Sequence, residues 1–281
     1  MNLKRYKNIF LDNKMEKHGR LGFTESALLY CHYIRIQKID MVHTLEFMKY
    51  EANFLKWLFT TSGFYDISFN DNYDYINSSN YKKLMNEFYE MSKQSTFTRF
   101  AFHNTSVCKY LPEFYKNFNN VEFSFEKISN EFKSFVRDKN ILIINPMSKL
   151  MKQQYDSGNV FKINNFPRVN SIQCYTNDYT FFNKSNDQNH SNSFDYIDSI
   201  MPEILSIECD CVIISCGAIS SLIANRLNKN YLIIGSNLLT IFGIKHDRIK
   251  DHPHEYNENW INVPDEYKPP EYKMIENGCY W

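Results

Sequence analysis

One stretch of the chain, residues 211–248, most constrains what the whole sequence can fold into. It holds two short apolar runs, Cys211–Ser215 and Tyr231–Ile234, and a turn of small residues follows each run. Between the runs, apolar residues recur every three or four positions, as they do on one face of a helix: Ile219, Leu222, Ile223 and Leu227. The stretch therefore predicts a strand, a helix and a second strand parallel to the first.

The turns after these two strands indicate where a ligand would bind. They are Cys216-Gly217-Ala218 and Gly235-Ser236-Asn237. In an open parallel sheet, ligands bind in the crevice beyond the carboxyl ends of the strands. Two cations, Lys245 and Arg248, follow the second turn and are predicted to hold a phosphate group near helix N-termini.

Two more strands are predicted upstream. The run Ile141–Ile144 is continuously apolar, as is typical of a strand that is covered on both faces. It ends at Asn145, and Ser148 is predicted to cap the next helix in the same crevice. Ser171–Thr176 is the second strand. We therefore expect an α/β fold with a Rossmann-like, mostly parallel sheet that is flanked by helices.

The predicted domain covers residues 17–281 and follows a flexible amino-terminal arm at residues 1–16. Its first part, residues 17–137, is expected to be mainly helical. Residues 138–250 are expected to form the parallel-sheet core, and residues 251–281 a tail that wraps the domain. Because loose aromatic residues are unfavourable in water, the final Tyr280 and Trp281 are expected to dock on the body.

The composition excludes several classes of protein. The 281-residue chain has 32 Lys and Arg against 32 Asp and Glu, which argues against a general nucleic-acid or membrane-surface binder. No apolar run approaches the roughly 20 residues of a membrane span, and the basic amino terminus lacks the apolar core of a signal peptide. We therefore expect a cytoplasmic protein with no membrane span and no nucleic-acid partner.

The seven cysteines and eight histidines form no strong metal motif. The cysteines lack CxxC spacing, which favours reduced thiols in the core. The close pair His252 and His254 has no obvious acidic or thiol partner. Cys216 has two interpretations: a nucleophile that needs a neighbouring base, or a packed thiol.

Residues 17–25 place two glycines around an arginine, and a threonine and a glutamate follow. One interpretation is a tight loop that presents Arg20 to an anion and Glu25 to a metal or a hydroxyl group. The alternative is a glycine-rich entry to a helix, in which Glu25 only complements the helix dipole. In both, Thr24 is predicted to cap a helix that runs to about Lys38.

Four segments resemble, in the same order, motifs of glycosyltransferases with the GT-D fold. Gly19–Glu25 resembles their RxGxxE loop, and Asn140–Pro146 with Gln153-Gln154-Tyr155 resembles "VLVISPF…QY". The third segment resembles "GAYGxxL…GG…FGIKGKR" through Cys216-Gly217-Ala218, Leu222, Gly235, Phe242–Lys245 and Arg248. The ending Gly278-Cys279-Tyr280-Trp281 matches bacterial relatives among surface-polysaccharide genes.

The resemblance implies a glycosyltransferase that moves a sugar from a nucleotide-diphosphate sugar, such as a UDP-sugar, to a glycan acceptor. The product would be a surface or viral polysaccharide, made in the cytoplasm of the cell or of an infected host. The family carries a DxE motif for a divalent cation such as Mn²⁺ or Mg²⁺ and the donor diphosphate. Phe23 and Glu25 stand at these positions, so Glu25 alone is left as a metal ligand.

The sequence thus predicts Arg20 and Glu25 as catalytic residues. The residues predicted to hold the donor are Gly22, Asn145, Ser148, Cys216, Gly217, Gly235, Ser236, Asn237, Lys245 and Arg248. Two other functions stay open: another nucleotide- or S-adenosylmethionine-dependent transferase, and a catalytically inactive binding protein with the same fold.

Overall fold

The computed structural model describes residues 15–36, 45–69, 73–100, 125–181, 184–185, 189–247 and 256–281. The predicted amino-terminal arm falls almost wholly outside the described residues, and so does Arg248. None of the described helices is both long enough and apolar enough to cross a membrane.

Six strands of the described chain form one parallel sheet in the spatial order β2-β1-β8-β7-β3-β4. The strands are β1 (Lys17–Leu21), β2 (Phe97–Phe100), β3 (Asn140–Ile144), β4 (Ser171–Tyr175), β7 (Cys211–Ile214) and β8 (Asn230–Ile233). A small antiparallel hairpin joins β5 (Thr180–Phe181) to β6 (Lys184–Ser185). The Rossmann-like parallel sheet is therefore confirmed.

Helices cover both faces of the sheet. They are α1 (Phe23–Ile36), α2 (Leu45–Thr60), α3 (Ser79–Gln94), α4 (Phe125–Val136), α5 (Ser148–Asp156), α6 (Asn159–Asn164), α7 (Ser193–Ser206), α8 (Ile219–Arg226) and α9 (Asn237–Ile241). Short 3₁₀ turns lie at Tyr73–Asn77, Asp265–Tyr267, Tyr272–Met274 and Glu276–Gly278. One face packs on α1, α2, α3, α7 and α8, and the other on α4, α5, α6 and α9.

Successive residues of the central strands alternate between these two cores. In β3, Leu142 and Ile144 enter the first core, whereas Ile141 and Ile143 enter the second. All four side chains are completely buried. Each fully buried aliphatic side chain contributes about 1.5 to 3 kcal/mol, so both faces of the strand stabilise the sheet. This two-sided burial is the reason that the run is continuously apolar rather than alternating.

The connections around β3 and β7 run in opposite directions. From β3 the chain passes through α5 to β4 at the sheet edge, and from β7 it passes through α8 to β8. These two helices lie on opposite faces of the sheet. The boundary between β3 and β7 is therefore a topological switch point, where open parallel sheets form their ligand crevice.

The strand–helix–strand prediction at residues 211–234 is confirmed, with bounds that differ by one residue or so. The loop prediction for residues 17–25 is wrong in its first half, because Lys17–Leu21 is strand β1, which lies between β2 and β8. The mainly helical first part thus also contributes two strands, β1 and β2, among the described residues.

Both predicted helix caps are wrong. Helix α1 begins at Phe23, so Thr24 lies inside its first turn. Helix α5 begins at Ser148 itself, with Met147 in the cap position and no side-chain capping bond there. The Ser148 hydroxyl instead lies 3.0 Å from the Thr176 hydroxyl, beyond the neighbouring strand β4. Ser148 therefore links α5 to β4 and does not cap the helix.

The carboxyl-terminal segment docks on the body, as expected. Trp260 is buried, and Ile261 forms a parallel bridge with Ile244. The indole N–H of Trp281 lies 3.4 Å from the hydroxyl oxygen of Tyr179, which follows β4, and donates to the Tyr267 carbonyl oxygen at 3.1 Å. We use "the tail" for residues 256–281 from here on.

Candidate functional site

A cavity of about 310 Å³ lies at the carboxyl ends of the strands. Its lining comes from the turns after β1, β3, β4, β7 and β8, from the end of α2, and from the tail. Strands β1 and β4 are four inter-strand steps apart, so these turns span about 19 Å at about 4.8 Å per step. We call the β1 side the arginine end and the β4 side the aromatic end of the cavity.

Eight of the residues predicted from sequence line this one cavity. They are Arg20, Gly22, Glu25, Asn145, Cys216, Gly217, Gly235 and Ser236. They come from segments that are far apart along the chain. The parallel sheet brings them together because the carboxyl ends of its strands all lie on the same side of the sheet.

The other predicted donor-binding residues lie elsewhere. Ser148 is fully buried and does not line the cavity, and neither does Asn237, the first residue of α9. Lys245 is absent from the lining; its ammonium lies 5.5 Å from the ring centroid of Tyr256 in the tail. Its backbone N–H donates to the Ile261 carbonyl oxygen at 2.8 Å, which directs this segment into the tail. Arg248 lies outside the described residues.

At the arginine end, the Arg20 guanidinium lies directly against the backbone of Gly235. A Cβ atom placed on Gly235 would be 2.8 Å from Cζ and 2.9 Å from Nη1 of Arg20. The contact follows from the sheet order, because β1 and β8 are neighbours and both residues lie at or just past their carboxyl ends. Glycine at position 235 therefore leaves the space that the guanidinium occupies.

Glu25 lies in the first turn of α1 and is only 7% exposed. Burial raises the pKa of its carboxyl group, although its own backbone N–H and the charge of Arg20 act in the opposite direction. A Cβ atom on Gly22 would collide with Glu25 Oε2, so the carboxyl group lies over that glycine. Glu25 thus retains a proton at higher pH than an exposed glutamate, a property of acid–base groups in active sites.

The raised pKa makes the stability of the protein depend on pH. Ionised Glu25 is disfavoured in the fold, so this contribution to stability is present below about pH 4.5 and is lost as pH rises through the folded-state pKa. We expect Glu25→Gln to raise the melting temperature by a few degrees at neutral pH and by nearly nothing at about pH 4.

Glu126→Gln is a matched control for this experiment, because Glu126 is an exposed glutamate in the first turn of α4. Thermal melts of the wild type and both variants across this pH range measure the effect. An equal shift for both variants at every pH would show that burial of Glu25 is not the cause.

Three of the described helices that are at least eight residues long begin at the cavity. Phe23 opens α1 and lines the cavity, and so do Met147 before α5 and Gly217 before α8. Each helix N-terminus carries roughly half a positive charge and N–H groups without helical partners. These N–H groups and the Arg20 guanidinium are of the kind that binds phosphate groups.

Asn145 joins the ends of two strands at the switch point. Its side-chain N–H donates to the Ser215 carbonyl oxygen at 2.5 Å, and its Oδ1 accepts from the Met147 N–H at 2.7 Å. Both groups of the amide are thus used within the protein. Asn145 therefore positions the floor of the cavity between β3 and β7.

The geometry favours Cys216 as a packed thiol. Its Sγ lies 3.1 Å from the Ile144 carbonyl oxygen and 3.1 Å from Asn177 Oδ1. Burial raises the pKa of the thiol well above its ordinary value. Because the thiolate is the reactive form, Cys216 is not activated as a nucleophile in this state.

Besides residues 61–63 at the end of α2, two further parts of the lining were not predicted from the sequence. The first follows β4 and comprises Asn177, Asp178, Tyr179 and Thr180. The sequence predicts strand β4, and ligands of open parallel sheets bind beyond the carboxyl ends of the strands. These residues could therefore have been identified from the sequence. The second comprises Ile275, Glu276, Tyr280 and Trp281 of the tail. Their docking was predicted, but periodicity gives no information on which surface they would meet.

The fold and the cavity define an open parallel α/β protein with a cavity at its switch point. Comparisons of the chain with protein-family models, with curated proteins and with solved structures give no match. The function must therefore be inferred from the site itself.

Proposed function

We propose that this protein is a glycosyltransferase that transfers a sugar from a nucleotide-diphosphate sugar, such as a UDP-sugar, to a glycan acceptor. One observation carries the proposal: Arg20 and the buried Glu25 line the same cavity, at which three described helices of at least eight residues begin. Such a cavity combines a site for an anionic diphosphate with a group able to exchange a proton.

In this proposal the diphosphate lies at the arginine end. During transfer the bond between the anomeric carbon and the diphosphate oxygen breaks, and negative charge develops on the leaving group. Arg20 and the N-terminal N–H groups of α1 and α8 stabilise that charge, because they are held in place before the reaction.

The second half of the reaction forms a bond between the acceptor hydroxyl oxygen and the anomeric carbon. The hydroxyl proton must leave at the same time, and Glu25 in its ionised form accepts it. A carboxylate that burial has made more basic is a stronger proton acceptor than an exposed one. The acceptor thus loses a proton to Glu25 while the donor loses its nucleoside diphosphate.

A divalent cation does not fit the described residues as a protein-held cofactor. Among them, no three His, Cys, Asp or Glu side chains are grouped to hold a metal ion. Glu25 is the residue expected to bind the cation. Phe23 stands at the motif position where an aspartate would supply a second carboxylate ligand. We therefore derive no step through a metal, and Arg20 and the helix N-termini take the charge of the leaving group.

A panel of donors tests this proposal. We expect at least one UDP- or GDP-sugar to be hydrolysed slowly without an acceptor, and we expect UDP or GDP to raise the melting temperature. Each reaction is run with and without Mn²⁺, and S-adenosylmethionine is included as the substrate of a competing class of transferase. Stabilisation by S-adenosylmethionine alone would indicate that other class, and no response to any ligand would indicate an inactive binding protein.

A further inference from the structure

The aromatic end of the cavity has three ring-bearing residues. Tyr179, which follows β4, lines it together with Tyr280 and Trp281 of the tail. The ring centroids of Tyr179 and Tyr280 each lie 5.7 Å from that of Trp281. The hydrogen bond from the Trp281 indole to the Tyr267 carbonyl oxygen fixes the ring system. These rings are therefore oriented before a ligand binds, which lowers the entropic cost of binding.

Two carboxylates accompany the rings. Asp178 and Glu276 both line the cavity, and Glu276 Oε2 lies 3.5 Å from the Tyr280 hydroxyl. Glu276, Asn277 and Gly278 have φ angles of 46°, 59° and 76°, so three consecutive residues are left-handed. For a residue other than glycine this conformation costs roughly 1 to 2 kcal/mol. Such strain is often retained at ligand-binding sites.

The aromatic end is too far from Arg20 for a single phosphate group to contact both. Tyr179 follows β4 at the sheet edge, and Arg20 lies in β1; these two strands are about 19 Å apart across four inter-strand steps. A diphosphate held between Arg20 and Gly235 therefore leaves the aromatic end to another part of the bound ligands.

On the basis of the proposed function, we propose that the aromatic end is the outer part of the acceptor site and binds a hydroxyl-rich sugar ring of the glycan, beyond the sugar that reacts at Glu25. Aromatic faces pack on the apolar C–H face of a sugar, whereas Asp178 and Glu276 accept hydrogen bonds from its hydroxyl groups. A pyrimidine base fits less well, because most polar atoms on its edge are acceptors and would face the carboxylates.

Saturation-transfer NMR tests this assignment with simple sugars. The methyl glycosides of glucose, galactose and N-acetylglucosamine are the probes, each with UDP present. We expect ring C–H signals for at least one glycoside with the wild-type protein and at least a tenfold weaker affinity for Trp281→Ala. Trp281→Phe should retain most of the binding because it keeps an aromatic face. Tyr89→Ala is the control, since Tyr89 is exposed on α3 and does not line the cavity.

Affinity for UDP is measured on the same variants and separates the two proposals. Unchanged UDP affinity with lost glycoside binding in Trp281→Ala supports the acceptor site. Absence of any glycoside signal from the wild type, or a tenfold loss of UDP affinity in Trp281→Ala, overturns it. If glycosides bind through Trp281 but neither UDP nor GDP binds, the acceptor site stands and the donor assignment is wrong.

Discussion

Replacing Arg20 with alanine is expected to lower turnover by about 100-fold, which is the usual loss when one preorganised donor to a developing negative charge is removed. The guanidinium lies against Gly235 at the arginine end of the cavity, where the diphosphate is proposed to leave. The melting temperature should change little, because Arg20 is outside the apolar core. Initial rates with the best donor, and a thermal melt, measure both quantities.

Two further variants show whether the loss of turnover is specific to the Arg20 guanidinium. Arg20→Lys keeps the charge but loses the planar fork, so we expect a smaller loss than with alanine. Arg168→Ala is the control, because Arg168 is exposed just before β4, at the amino end of the strands. Equal turnover for Arg20→Ala and Arg168→Ala would remove Arg20 from the mechanism.

Replacing Gly217 with alanine is expected to destabilise the fold by about 3 kcal/mol, from about 1 for the left-handed backbone and about 2 for overpacking. Gly217 has a φ of 62°, and an added Cβ would collide with the Ser62 carbonyl oxygen. That oxygen accepts a hydrogen bond from the Ala218 N–H at 2.5 Å, so displacing it also breaks this link between α2 and α8. Urea unfolding of the variant measures the free-energy change.

Gly158→Ala measures separately the free-energy cost of placing alanine in the left-handed backbone conformation. Gly158 has a φ of 76°, and an added Cβ there would meet no atom within 4 Å. Its cost should thus be about 1 kcal/mol, from the left-handed conformation alone. If the two variants lose the same stability, close packing of the turn at 216–218 against Ser62 does not contribute to the fold.

The predictable part of the fold is the part in which burial determines the residue type. Strands β3, β7 and β8 are buried on both faces, so their apolar runs identify them without any tertiary information. Strand β1 has the sequence KHGRL, whose glycine and polar residues predict a loop instead. Its polar residues have partners that are distant in sequence: His18 Nδ1 lies 2.6 Å from Glu131 Oε1 of α4. Such pairing is invisible to periodicity.

Side-chain roles at the site divide in the same way. Asn145, Cys216, Gly217 and Gly235 follow predicted strands, and ligands of open parallel sheets bind beyond the carboxyl ends of the strands. Their place in the lining is therefore predictable without knowledge of their contacts. Lys245, like Arg20, is a cation near a predicted turn, but its backbone N–H donates to the Ile261 carbonyl oxygen, so its segment pairs with the tail. Trp281 of the tail is held at the cavity by contacts of its indole with Tyr179 and Tyr267. No local sequence pattern predicts these contacts.

Hydrogen exchange measured by mass spectrometry, with and without UDP, tests most directly whether the cavity at the switch point is the donor site. We predict that UDP slows exchange at residues 22–25, 145–148 and 216–219, the turns from which α1, α5 and α8 begin. Exchange at residues 137–140, which lead into β3 at the amino ends of the strands, should stay unchanged. Protection confined to residues 137–140, or no protection with either UDP or GDP, would contradict the donor site.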